Sequence, residues 1–299
     1  MVSAQQASTT TGILLYSLGV FFFALNDALG KWLVAEYTVG QLMLLRTVGA
    51  VLILAPLIWT AGASLVRRDQ MGLQVARILF MAADTYAFYY STRYLPLADV
   101  MTYYMAAPLI ITALSVPFLG EAVGPFRWAA VSVGFIGVLI ALQPTSAAFS
   151  IHAVIALFGS VMYALAVTVT RRLRDTHWLQ LVAWQFAGAG LIGSMTAPFG
   201  WVTPSLVDLG LLFLLGIVAI ACFICITMAL ARTPASVLAP FQYAAIVWAG
   251  ILGWLVWGDV PTWPIVIGNL VIVASGLVIF YREAIHGRAV VAEGVEPIP

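Results

Sequence analysis

Ten apolar runs, each long enough or nearly long enough to cross a bilayer, take up almost all of this chain. A helix crossing about 30 Å of hydrocarbon needs about 20 residues. The runs lie at 12–34, 39–60, 73–94, 97–118, 126–143, 151–171, 178–198, 206–230, 235–257 and 262–282. The breaks between them are short and rich in turn-forming or charged residues, among them Arg67-Arg68-Asp69, Gly120-Glu121, Gln143-Pro144, Thr203-Pro204 and Gly258-Asp259. With 63% hydrophobic and 8% charged residues, the chain lacks the polar surface that a soluble fold requires. The sequence therefore reads as an all-α membrane protein of ten transmembrane helices.

Several function classes fall away on composition. The net charge is +1 and the 13 Lys and Arg form no basic stripe, which argues against nucleic acid as a partner. The two cysteines, Cys222 and Cys225, sit within an apolar run, and a zinc site needs about four ligands. His152, His177 and His286 all lie at segment ends, so no metal centre and no His-based catalytic set is expected. No G-x-x-x-x-G-K-[ST] loop is present, so neither ATP nor any other cofactor is expected to drive the protein. Met1 to Thr11 is polar without the Lys or Arg that opens a secretory signal.

Lys and Arg also indicate orientation. If loops are numbered alternately, ten fall on the side of the N-terminus, and only Lys31 and Arg93 fall on the other; Arg46 lies within the second run. Cytoplasmic loops carry the excess of positive charge, so both termini are expected to be cytoplasmic.

The chain repeats itself. At an offset of 138, 94–105 (YLPLADVMTYYM) aligns with 232–243 (RTPASVLAPFQY), Pro96 meets Pro234, and Gly120-Glu121 meets Gly258-Asp259. A neighbouring offset pairs Lys31-Trp32-Leu33 with Arg171-Arg172-Leu173 and nearly pairs Gly49-Ala50 with Gly188-Ala189. The division implied is an N-terminal tail (1–11), a first five-helix repeat (12–143), a second (150–282) and a C-terminal tail (283–299), the last expected to be disordered. Five crossings per half is an odd number, so the second half enters from the opposite side. Inverted repeats meeting at a midplane site are a recurrent architecture of secondary transporters.

The elements YSTRYLPLADV, FLGEAVGPFRW and GVLIAL, with their counterparts MALARTPASVL, VWGDVPTWP and GLVIF, resemble the drug/metabolite transporter superfamily, and more closely its ten-helix EamA-type branch. The resemblance covers 12–282, and the Gly-acidic turn after the fourth and ninth helices is its most distinctive mark. Within that branch the similarity to bacterial exporters of aromatic amino acids implies export of bulky neutral amino acids across the inner membrane.

Polar side chains at membrane depth are expensive unless they face protein or water, so a substrate site is sought among Asn26, Asp27, Arg46, Asp84, Gln185, Gln242 and Asn269. Asp84 has two readings: a ligand for an amino group or a coupling proton, or a buried partner for Arg46 or a Tyr hydroxyl. Arg46 is either a carboxylate contact or the partner of Asp27. Tyr86, Tyr89, Tyr103, Tyr163 and Trp184 are candidate walls for a cavity suited to large, mostly apolar solutes, with belt or core packing as the alternative. Trp59, Trp201 and Trp263, at segment ends, read as interfacial belt residues. The first, third, fourth, sixth, eighth and ninth segments are expected to line the cavity. The fifth and tenth carry small residues at packing intervals (Gly134, Gly137; Gly268, Gly276) and are expected outside it.

These readings converge on a secondary transporter, not an enzyme, working by alternating access as a monomer or weak homo-oligomer in lipid. A multidrug or other metabolite exporter of the same fold is the alternative cargo reading. An intramembrane enzyme is the alternative from another class, and it lacks a Ser or Cys with a His at membrane depth.

Overall fold

The computed structural model describes residues 2–61, 70–119, 125–143, 150–173, 176–230, 233, 238 and 241–293. Among them, eleven longer helices and no strand are found. They are α1 (Val2–Val34), α2 (Val39–Ala61), α3 (Met71–Thr92), α4 (Leu97–Tyr104), α5 (Ala107–Leu119) and α6 (Pro125–Leu142) in the first half. The second half supplies α7 (Ile151–Arg172), α8 (Trp178–Thr196), α9 (Leu206–Leu230), α10 (Ala244–Trp257) and α11 (Trp263–Glu293). Helix is the only open-ended way to satisfy the backbone in hydrocarbon. Ends are closed locally: Ser150 Oγ accepts from the His152 N–H at 3.2 Å, and His177 Nδ1 accepts from that of Leu179 at 3.3 Å. The α10 helix stops at Gly258, whose left-handed φ of 71° suits glycine.

Ten sequence runs map onto these helices, with the fourth split in two. Met105 and Ala106 separate α4 from α5 because Pro108 has no N–H to donate to the carbonyl of Tyr104, four residues back. In the second half, Tyr243 interrupts the helix just before α10, and at the offset of 138 Tyr243 is the counterpart of Met105. Matching interruptions in the two halves are the structural sign of a transporter-type repeat.

Helix packing obeys the same symmetry. The α1–α9 contact has α7–α3 as its mirror, α2–α9 has α8–α3, and α1–α10 has α7 against α4 and α5. Three further pairs, α2–α8, α4–α10 and α6–α11, are their own mirrors and lie on the axis that relates the halves. The large interfaces all join one half to the other, as two inverted repeats require.

Among the described residues, five segments are apolar enough to span by length and composition: Thr10–Val34, Val39–Thr60, Leu97–Leu114, Ile151–Arg172 and Leu206–Ala229. Three shorter apolar helices, Trp128–Leu142, Ala244–Trp257 and Trp263–Val278, complete the apolar set. The α3 helix falls short because it buries Gln74, Arg77, Ser91 and Thr92 and turns Val75, Leu79 and Tyr90 outward, the polarity expected of a helix with lipid outside. Trp59, Trp201 and Trp263 are exposed, as belt residues must be.

The pair α6–α11 is a close-packed seam. A Cβ added at Gly137 would lie 2.8 Å from the Gly268 carbonyl oxygen, and one at Gly268 would lie 2.6 Å from that of Gly137. Ser275 Oγ donates to the Ala130 carbonyl across the same seam. The C-terminal tail departs from expectation. The polar stretch before Gly12 is helical from Val2, and α11 runs to Glu293 where a disordered tail was anticipated. The sequence REAIHGRAVVAE contains no proline and mostly helix-forming residues, so nothing stops the helix at the end of the apolar run.

Candidate functional site

Ionisable groups at membrane depth converge where α1, α2, α3 and α4 meet. Asp27 of α1 is buried. Asp84, midway along α3, accepts from the Tyr104 hydroxyl of α4 at 2.8 Å through Oδ1, and its carbonyl lies 3.2 Å from the same hydroxyl. Gly159 of α7 makes room for that hydroxyl, because a Cβ at this position would collide with it. Arg46 of α2 lies within electrostatic reach of Asp27, Asp84 and Tyr89. Its guanidinium sits 5.8 Å from the centroid of the Phe186 ring.

The charges of this cluster are near each other but not directly paired. Among the described residues the one ion pair joins Lys31 to Asp259, elsewhere in the molecule. Arg46 Nε and Asp27 Oδ2 are both buried with no hydrogen-bond partner. The Asp27–Arg46 bond offered as one reading of the sequence is therefore absent. The Tyr hydroxyl that Asp84 was offered is present, in the person of Tyr104.

A recess with about 360 Å³ of empty space, its open mouth included, adjoins the cluster. Met43 and Arg46 of α2, Met81 and Thr85 of α3, and Gln185 and Phe186 of α8 line it. The third segment was expected to line the cavity and does, but the other walls come from two segments left out of that expectation, the second and the seventh. Those two are the self-mirrored pair α2–α8, and the repeat mates Arg46 and Gln185 both line the recess.

The other candidates separate by the direction they point. Asn26 Nδ2 donates to the Leu215 carbonyl at 2.7 Å and ties α1 to α9. Tyr89 is 2% exposed and fills the hollow above Gly30, where a Cβ would strike its ring. Tyr86 hydrogen-bonds through its hydroxyl to Thr196 at the end of α8. Tyr103 turns away and points its hydroxyl at the Ala141 carbonyl of α6 at 3.4 Å. Tyr163 is half-buried and close enough to feel Asp84, Trp184 is half-buried, and Gln242 is exposed. Tyr104, adjacent to the candidate Tyr103, carries the contact to Asp84 that Tyr103 does not make. Among the described residues no group of three His, Cys, Asp or Glu is placed to hold a metal ion.

The comparisons with known proteins agree with this architecture. The chain is 26% identical over 270 residues to the pseudopaline exporter CntI of Pseudomonas aeruginosa (strain UCBPP-PA14), covering 89% of this chain and 94% of that one. It is 22% identical to the S-adenosylmethionine uptake transporter of Rickettsia bellii, covering 90% and 95%. It is 23% identical to the riboflavin transporter of Rhizobium johnstonii, covering 94% and 95%. A solved crystal structure superposes with a TM-score of 0.57 at 20% identity, covering 92% of this chain and 95% of that one. The model of the EamA-like transporter family matches residues 10–143 and again 150–281, once for each half, and the chain belongs to that family.

Proposed function

We propose that this protein is a secondary exporter of aromatic and other bulky neutral amino acids or closely related metabolites, the reading suggested by its resemblance to bacterial exporters of aromatic amino acids. One observation carries it: a guanidinium and two carboxylates, Asp27 buried and Arg46 and Asp84 half-buried, share one locus without forming an ion pair among themselves. A buried charge with no direct partner is costly, and a zwitterionic head group would relieve that cost. Arg46 would take the carboxylate and Asp84 the ammonium, while Phe186, Tyr104 and Tyr163 offer aromatic surface to a bulky side chain. Asn26, Tyr86 and Tyr103 then act as struts, and Trp184 and Gln242 join the site only in another conformation. Relatives that carry pseudopaline, S-adenosylmethionine and riboflavin show how varied the cargo of such proteins is, so the amino-acid head group must be tested directly.

The test is efflux of labelled phenylalanine from proteoliposomes holding only this protein, with unlabelled competitors. Competition by tryptophan, leucine and phenylalanine, but not by phenethylamine or phenylpropionate at equal concentration, supports the reading. Equal competition by phenethylamine would make the cargo a cation and remove Arg46 from recognition.

The same reading places both termini in the cytoplasm, with the exporter in the inner membrane of a bacterium. In a background lacking Cys222 and Cys225, Ser205→Cys should react with an impermeant thiol reagent added outside intact cells, and His177→Cys should not. The reverse pattern would invert the topology.

A further inference from the structure

The end of the bundle away from both termini is tied shut across the two halves. Lys31, in the last turn of α1, donates through Nζ to Asp259 Oδ2 at 3.0 Å and to the Leu95 carbonyl at 3.1 Å. The same ammonium sits 4.6 Å from the centroid of the Trp257 ring. Lys31 and Leu95 belong to the first half; Asp259 and Trp257 belong to the second. The pair is well screened, with side chains 10% and 25% exposed. Asp259 follows directly on Gly258, the left-handed stop of α10, so it must move when α10 moves.

A second carboxylate waits beside this pair. Asp99, in the first turn of α4, lies within electrostatic reach of both Lys31 and Asp259, and its Oδ1 is buried with no hydrogen-bond partner. Asp99 belongs to the same half as Lys31. The ammonium therefore faces two acceptors, one on each side of the seam that opening would part.

We propose that Lys31 is a two-position latch, paired with Asp259 when this end is closed and with Asp99 when it opens. Breaking a screened ion pair outright strands a charge and is strongly unfavourable. Handing Lys31 to an acceptor within its own half removes that penalty, so opening costs less while the closed state stays well held. At the offsets of the internal repeat, the counterparts of Lys31 and Asp259 are Arg171 and Glu121, so the sequence supplies a cation and an acid for the opposite end as well. The proposal rests on the transporter reading but on no particular substrate.

The experiment reads closure and flux separately. In a background with Cys222 and Cys225 replaced by serine, Ala28→Cys places a thiol one turn of α1 below Lys31, where the residue is buried. Its labelling rate by an impermeant reagent is measured in sealed vesicles of known sidedness. Asp259→Asn should raise that rate about tenfold, the effect of about 1.4 kcal/mol on the closed–open equilibrium. Asp99→Asn should lower both labelling and flux. The exchange Lys31→Asp with Asp259→Lys should restore the closed-state pair yet lower both labelling and flux, because the carboxylate then at position 31 faces Asp99 when the end opens. An unchanged labelling rate in Asp259→Asn would overturn the latch. Restoration of both labelling and flux by the exchange would overturn the role of Asp99. Absence of flux in the unmodified protein would count against the transporter reading, while the labelling rates would still decide the latch.

Discussion

The two halves of this protein share a fold but not a chemistry. Their helices pack through reciprocal contacts and are interrupted at matching positions. Yet the ionisable side chains of the central cluster all come from the first half. At the repeat offsets, Asp27, Arg46, Asp84 and Tyr104 correspond to Val167, Gln185, Cys222 and Gln242. A charge at the centre of a spanning helix costs about 2.5–3.5 kcal/mol on insertion scales. Under the proposed alternating access, symmetry serves the motion, since the halves would exchange shapes, but recognition would need each charge only once. A second set would add cost without adding a contact. The scaffold is therefore symmetric and the site is not.

The comparison can be broken most decisively at Asp84. Asp84→Asn keeps the shape and removes the charge. If the carboxylate holds a substrate ammonium, losing that contact costs about 1.5–3 kcal/mol, a ten- to hundredfold rise in KM at unchanged protein amount. Initial flux per folded molecule across pH is the measurement. Equal flux with the same pH dependence would leave Asp84 as the acceptor of Tyr104 alone. The next effect is Arg46→Gln, which writes the residue of the second half into the first. We expect about a tenfold rise in KM for amino acids, equivalent to about 1.4 kcal/mol, and no change for the corresponding amines. A parallel loss for amines would assign Arg46 to structure. The smallest effect belongs to Cys222→Ser, at the position matching Asp84. It should lower thermal stability by about 1 kcal/mol and leave KM alone. A change in KM as large as that of Asp84→Asn would show that the second half carries recognition too.

Much of the architecture was legible from residue order alone. Apolar length marked each span, the Gly-acidic turns marked the repeat, and small residues at Gly137 and Gly268 marked faces suited to close packing, which the structure joins in the α6–α11 seam. All of these are local signals, because a bilayer imposes its constraint on one segment at a time. Even the shared locus of Arg46 and Gln185 followed from their repeat positions, and both line the same recess.

What only the tertiary structure decided is rotational. Successive residues of a helix point about 100° apart, so Tyr103 and Tyr104 look alike in sequence but reach different neighbours. One turns to the Ala141 carbonyl of α6, and the other takes Asp84. Likewise, nothing in the sequence chooses among Asp27, Asp84, Tyr89 and the Phe186 ring as company for Arg46, because that choice depends on how four helices are rolled against one another. The chain by itself determined how many helices cross and that they cross as two inverted sets. Packing decided which faces meet, and hence which of its few polar side chains form a site.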